Sequence, residues 1–174
     1  MRKFVYADPP YKGQAKKHYG PEAREVNWPI LCENLKAYDG FALSCHVNQI
    51  ADLVPMLPKK TRVMAWVKPF AVFKKNVNPT YAWEPVLIHA PSRGMGKKFV
   101  HDWVACSPQM KAVITGQKPL DFCYWLFQVM GLNQEDQLED MFPGSGTISY
   151  AWEFYKANWP DHMNCKSLIR SIEA

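Results

Sequence analysis

"LEDMFPGSGT", residues 138–147, decides how this chain is read. A short extended run, Gln137 to Phe142, carries the acid Asp140 and then enters Pro143-Gly144-Ser145-Gly146. Helical spacing follows from Thr147 to Asn158. Glycines between a strand and a helix let the backbone approach a ligand closely, and the helix N-terminus offers unpaired N–H donors. The same residues also suit a plain tight turn. A second stretch is needed to choose between the two.

That stretch is "VYADPPYKGQ", residues 5–14. An apolar extended run ends at Asp8-Pro9-Pro10-Tyr11. Two successive prolines stiffen the backbone and remove two N–H donors. The turn therefore presents a carboxylate, carbonyl oxygens and a ring in a fixed arrangement.

Between these two stretches, strands alternate with helices. Residues 3–8, 41–45, 62–67, 84–89 and 137–142 read as strands. Residues 27–38, 48–57, 120–131 and 147–158 carry helical spacing, with a last helix at 164–172. Gly131 is placed to stop the third of these. The stretch 90–118 reads as irregular; so long a connection is either functional or contains a further element. Alternation of this kind predicts an α/β sheet with helices on both faces.

The 174 residues suit a single domain, 1–174, and 48% hydrophobic with 21% charged residues is enough to bury a core. No apolar run is long enough to span a bilayer and no apolar segment follows Met1-Arg2-Lys3. A soluble, intracellular protein with no membrane partner is expected. The five cysteines form no C-x-x-C pair, so neither a disulfide framework nor a structural metal is expected. Cys45-His46 reads as a core thiol followed by a turn histidine. Net charge is +5, with basic residues gathered at 16–17, 59–62, 74–75, 93 and 97–98. Such clusters fit a solvated surface or a polyanionic partner. A Gly-Lys-Ser/Thr phosphate loop and a G-x-G-x-x-G fingerprint are both absent from the sequence.

Taken together, the two stretches resemble the amino-group methyltransferases that act on nucleic acid bases. Asp8-Pro9-Pro10-Tyr11 is similar to their catalytic D-P-P-[Y/W/F] motif. Asp140, Phe142, Gly144 and Gly146 are similar to their D-x-F-x-G-x-G motif for S-adenosylmethionine. "TGQKP" (115–119), "AWVKP" (65–69) and "WEPVLI" (83–88) resemble neighbouring segments of the same enzymes. The catalytic motif precedes the cofactor motif, the permuted order of the family that holds the RNA adenosine N6-methyltransferases and many phage DNA adenine methyltransferases. The resemblance spans roughly residues 4–155.

It implies a Rossmann-like, S-adenosylmethionine-dependent methyltransferase sheet in permuted order, reduced at its C-terminal end. It implies methyl transfer to the N6 amine of adenine in DNA, by a phage-type enzyme acting as a monomer or homodimer. Asp8 and the Pro9 carbonyl would accept the two amine protons, Pro10 would stiffen the turn, and Tyr11 would stack on the base. Asp140, Phe142, Pro143, Gly144, Ser145, Gly146 and Thr147 would hold the cofactor, with Lys118, Pro119 and Asp8 beside it. Lys16, Lys17, His18 and Tyr19 would contact the nucleic acid, and Lys74, Lys75, Arg93, Lys97 and Lys98 its phosphates. RNA adenine and cytosine N4 are alternative targets. An inactive nucleic-acid-binding subunit is the alternative role. In the family an acid on a later strand holds the cofactor ribose; here Asp161 stands in a polar context, and Glu153 falls inside a helix, so that half of the pocket is left open.

Overall fold

The computed structural model describes residues 1–16, 20–69, 76–91, 99–108 and 117–158. Six strands form one sheet: β1 (Lys3–Ala7), β2 (Gly40–Ser44), β3 (Arg62–Val67), β4 (Trp83–His89), β5 (Trp103–Ala105) and β6 (Gln137–Asp140). Their order across the sheet is β5-β3-β4-β2-β1-β6. β1 pairs in parallel with both β2 and β6, and β3 in parallel with β5. β4 is antiparallel to β2 and β3, so it alone runs against the rest.

Helices cover both faces, as the alternation predicted. β1 sorts its side chains accordingly. Phe4 and Tyr6 enter a core with α3 (Leu120–Met130) and α4 (Thr147–Ala157). Val5 and Ala7 enter a second core with α1 (Trp28–Leu35) and the short α2 (Ile50–Leu53). A strand buried on both faces reads as a continuous apolar run, and "FVYA" is one. α3 is buried nearly all round, from Phe122 to Phe127, which fits a helix with little polar face. Gly131 ends it in the left-handed region at φ 67°. α1 starts at Asn27, whose side chain accepts from the Ile30 N–H at 3.2 Å.

Two expectations are corrected. The stretch 90–118 is not irregular throughout, because β5 lies inside it. Three residues are too few to show a period. The helix over 48–57 is a four-residue α2 between two 3₁₀ turns, Val47–Gln49 and Val54–Met56. Pro55 removes a donor in the second turn and stops the α-helix from continuing. The helix expected at 164–172 lies outside the described residues. Among the described residues no helix is long and apolar enough to cross a membrane.

Gly40 shows how tightly β2 seats on β1. A Cβ there would lie 2.7 Å from the Phe4 ring and 2.9 Å from the His89 carbonyl oxygen. Gly40→Ala is expected to cost about 1–3 kcal/mol, read as a lower urea midpoint with an unchanged slope. An unchanged midpoint would mean that the Phe4 ring has room to turn aside.

Candidate active site

Carboxyl ends of parallel strands are where open α/β sheets bind ligands. Here β1 ends at Asp8 and β6 ends at Asp140, and Tyr6 is paired with Asp140 across the two strands. Lys68 follows β3 at the same edge. Glu84 lies near the start of β4, which the antiparallel direction brings to that edge too. Lys118 stands just before α3. The sheet thus collects residues 8, 68, 84, 118 and 140 on one rim.

Four of them form a charge network around the buried Lys118–Glu84 pair, with Asp8 and Lys68 half-buried at its margin. The Lys118 ammonium lies 2.5 Å from Glu84 Oε1 and 3.1 Å from Asp8 Oδ2. Lys68 reaches Glu84 Oε2 at 2.9 Å. The side chains of Lys118 and Glu84 are 7% and 6% exposed. Aromatic faces complete the surroundings, with Lys68 and Lys118 at 4.4 and 5.0 Å from the Trp66 ring centre. Two carboxylates and two ammonium groups leave no net charge within the network.

The ionisation of each group follows from its neighbours. Burial works against a charged Lys118, but Asp8 and Glu84 outweigh it and hold the lysine protonated, far above its usual range. Burial alone would raise Glu84; Lys118 and Lys68 overcome it and hold the carboxyl at about 2. Asp8 differs. Burial raises it, Lys118 pulls it down, and the Glu84 charge pushes it up again, for a net upward shift. Burial and the Glu84 charge also push the Tyr11 phenol well above its usual range.

Tyr11 stands edge-on to His46, with ring centres 5.5 Å apart. His46 stands edge-on to Tyr81 at 4.8 Å. The His46 Nδ1 accepts from the Asn48 N–H at 3.2 Å and caps the 3₁₀ turn that follows β2. Beneath the site, the Tyr6 hydroxyl and Ser44 Oγ share a buried hydrogen bond of 2.9 Å.

The glycine turn lies beside this network. Asp140 Oδ1 is buried and has no hydrogen-bond partner among the described residues. Burial first, and then the Asp8 charge, raise the Asp140 carboxyl to about 6 against the pull of the Phe142 N–H. Gly144 and Gly146 adopt φ of 49° and 73°, the region that favours glycine. A Cβ on Gly146 would meet nothing within 4 Å, and one on Gly144 only the Phe142 carbonyl at 3.9 Å. The turn therefore faces open space. Pro143, Gly144 and Ser145 are exposed, while Phe142 packs against the α1 side of the core. Thr147 is buried at the first turn of α4, and its hydroxyl lies 2.8 Å from Ser145 Oγ. Pro119 is buried at the N-cap of α3.

Sequence reading named Asp8, Tyr11, Lys118 and Asp140, and the fold brings these together. It passed over Glu84, Lys68, His46 and Tyr81. A glutamate inside the apolar strand "EPVLI" was the available signal for Glu84, since a buried carboxylate needs a partner. Lys16 is exposed. Lys17, His18, Tyr19, Lys74, Lys75, Arg93, Lys97 and Lys98 lie outside the described residues, as does Asp161. Glu153 is on the exposed side of α4, paired with Lys156 at 2.7 Å.

Neither a family model nor a curated protein sequence matches the chain. Solved structures do. The crystal structure of the M1.HpyAVI–SAM complex superposes with a TM-score of 0.64 at 15% identity, over 90% of this chain and 79% of that one. A second solved structure, the crystal structure of M1.HpyAVI, gives 0.57 at 15%, over 90% and 78%. The likeness establishes the fold, an α/β Rossmann-like sheet, as the alternation of strands and helices had predicted.

Proposed function

We propose that the protein is an S-adenosylmethionine-dependent methyltransferase acting on the N6 amine of adenine in DNA. The observation that carries this reading is the Asp8-Pro9-Pro10-Tyr11 turn. Its carboxylate is held by a buried Lys118–Glu84 pair and stands across from the unpartnered Asp140 oxygen. The likeness to a SAM-bound structure supports the choice of cofactor.

The residues present fit that cofactor. A methionine moiety carries an ammonium and a carboxylate. Asp140 Oδ1 offers a buried acceptor with no donor among the described residues, and the open glycine turn with the α4 N-terminus offers N–H groups. S-adenosylmethionine, when bound, supplies an electrophilic methyl on a sulfonium centre. The remaining work belongs to the chain. The adenine amine is a weak nucleophile because its lone pair is drawn into the ring. Asp8 and the Pro9 carbonyl accept its two protons and so turn the lone pair out of the ring plane. The two prolines and the Lys118 ion pair fix these acceptors before the base arrives. Tyr11 provides a ring for the base, which must leave a duplex to reach it. Asp8, with its carboxyl already shifted upward, is placed to take the proton that the methylated amine sheds.

The test is calorimetric titration with S-adenosylhomocysteine, followed by digestion of treated DNA and a search for N6-methyladenine. Micromolar binding and the modified base are expected. Gly144→Val should abolish binding, because its side chain enters the turn's open side and strains a φ of 49°. Binding by the wild type that survives this change would make the turn merely structural. No binding by the wild type would instead favour an inactive nucleic-acid-binding subunit.

The same titration carries a pH signature. The raised Asp140 holds its proton below about pH 6 in the free protein. A ligand ammonium competes with that proton, so affinity should fall as pH drops below this point, by up to about tenfold per unit. Proton release on binding near the same pH is the companion signal. A flat affinity from about pH 7.5 to 5 would remove Asp140 from ligand contact.

A further inference from the structure

Three large aromatic side chains stand partly exposed, Trp83 and Trp103 on the sheet and Tyr81 just before β4. Tyr81 is 43%, Trp83 38% and Trp103 48% exposed. The register puts both tryptophans on the same side. Trp83 is opposite Val67, and Trp103 is opposite Ala65, two residues along the same strand. Val63, next in that row, lies opposite Leu87, which belongs to the α1 side of the core. So the face that α1 and α2 cover over β1, β2 and the buried middle of β4 continues outward across β3 and β5, where Val63, Ala65 and Val67 are exposed or half-buried and no described helix lies over them.

Its inner end is the candidate active site. Tyr81 touches His46, and His46 touches Tyr11 of the catalytic turn. Its outer end is built as well. The Trp103 ring stacks on His101, with centres 5.6 Å apart and planes at 28°. The His101 carbonyl accepts from the Trp125 indole N–H at 2.9 Å, which ties this stretch to buried α3. With strands about 4.8 Å apart and residues about 3.3 Å apart, Trp83 and Trp103 have Cα atoms about 12 Å apart.

We propose that Tyr81, Trp83 and Trp103 form a stacking track for single-stranded nucleic acid, receiving bases that flank the one at Asp8. The proposal rests on the methyltransferase reading above and adds the form of its substrate. Planar rings spaced along a sheet face bind unpaired bases, whose π-faces are free; bases in a duplex are already stacked on one another. Charge favours the same occupant. The protein carries +5 overall, and exposed Lys59 and Lys60 stand in the turn that leads into β3, whereas Arg62 is already paired with Asp102 at 3.1 Å. A second copy of the chain would bring those cations against their own kind, whereas a phosphate backbone neutralises them.

The experiment compares binding of a mixed-sequence DNA strand of about 15 nucleotides with binding of its duplex, by fluorescence anisotropy. Wild type, Trp83→Leu, Trp103→Leu, the double variant and Trp103→Phe are each measured. Single-strand affinity should exceed duplex affinity about tenfold, each leucine should weaken it about tenfold, and phenylalanine should retain most of it. Both tryptophans are partly exposed, and circular dichroism checks that the variants fold. Leucine variants that bind the single strand like wild type would overturn the track. So would a wild-type dimer that Trp103→Leu dissociates with single-strand affinity unchanged, because a second copy would then occupy the face. Methyl transfer is scored in parallel. Tryptophan-dependent binding without transfer leaves the track standing and the enzyme reading not. Transfer with unaltered binding by the leucine variants does the reverse.

Discussion

An Asp8→Ala variant is expected to bind S-adenosylhomocysteine as the wild type does and to transfer methyl groups on the order of 10³-fold more slowly, or not at all. Alanine keeps the two prolines and so keeps the turn. It removes one of the two acceptors that orient the amine, and with it the group placed to take the proton. The loss should therefore fall on turnover, while affinity for the cofactor product is spared. Folding should be spared too. Lys118 loses its 3.1 Å contact to Asp8 but keeps the 2.5 Å contact to Glu84, so no buried charge is left alone. Single-turnover assays with radiolabelled cofactor give the rate, and calorimetry gives the affinity. A variant with wild-type turnover would end the assignment of Asp8.

Lys118→Met should act on the fold as much as on the chemistry. Methionine matches the volume of lysine but, among the described residues, leaves Glu84 with Lys68 alone and Asp8 with no cation in contact. Breaking a buried pair by removing one partner costs about 3–5 kcal/mol. For a chain of this size that is a fall in melting temperature of roughly 10 °C. The pH dependence on the acid side of neutrality should steepen, because Asp8 is already raised in the wild type and loses the cation that restrains it. In the wild type, Glu84 is depressed to about 2. Its contribution is present above its ordinary range near 4.5 and is lost as pH falls toward 2. In the variant, burial of Asp8 dominates and raises it further. The folded state then binds more protons than the unfolded one, and stability rises as pH is lowered from neutrality. Calorimetric melting between about pH 3 and 8 reads both effects. A variant as stable as the wild type, with the same pH profile, would show that the network contributes nothing to the fold.

Strands and helices were legible where a run was long enough to show its period or was bounded by a breaker. β3 was read at its observed bounds because Arg62 to Val67 is β-branched and aromatic between polar turns. β5 was not, because its three residues alternate in exposure over less than two periods. Site residues divide along similar lines. Asp8 and Asp140 sit in local patterns that announce a turn, so adjacent residues identify them. Glu84 and Lys68 gain their meaning from Lys118, which lies 34 residues beyond Glu84. No local pattern holds that information; it arises only when an antiparallel β4 brings its first residues to the rim where the parallel strands end. The aromatic row has the same origin, since Trp83 and Trp103 share a face only through the register of β3 with its two neighbours.

The place of β1 has a consequence for how the chain is made. The strand that leads into Asp8 leaves the ribosome long before β6, yet the two are neighbours in the sheet, and the Arg2 N–H hydrogen-bonds Asp136 across 134 residues. At 5–20 residues per second, β1 waits roughly 7 to 27 seconds for that partner. During this time an apolar strand, later buried on both faces, keeps one backbone edge bare. Such edges recruit other chains. Synthesis of this protein therefore passes through a vulnerable interval set by topology, during which the edge of β1 that later takes β6 is open to other strands.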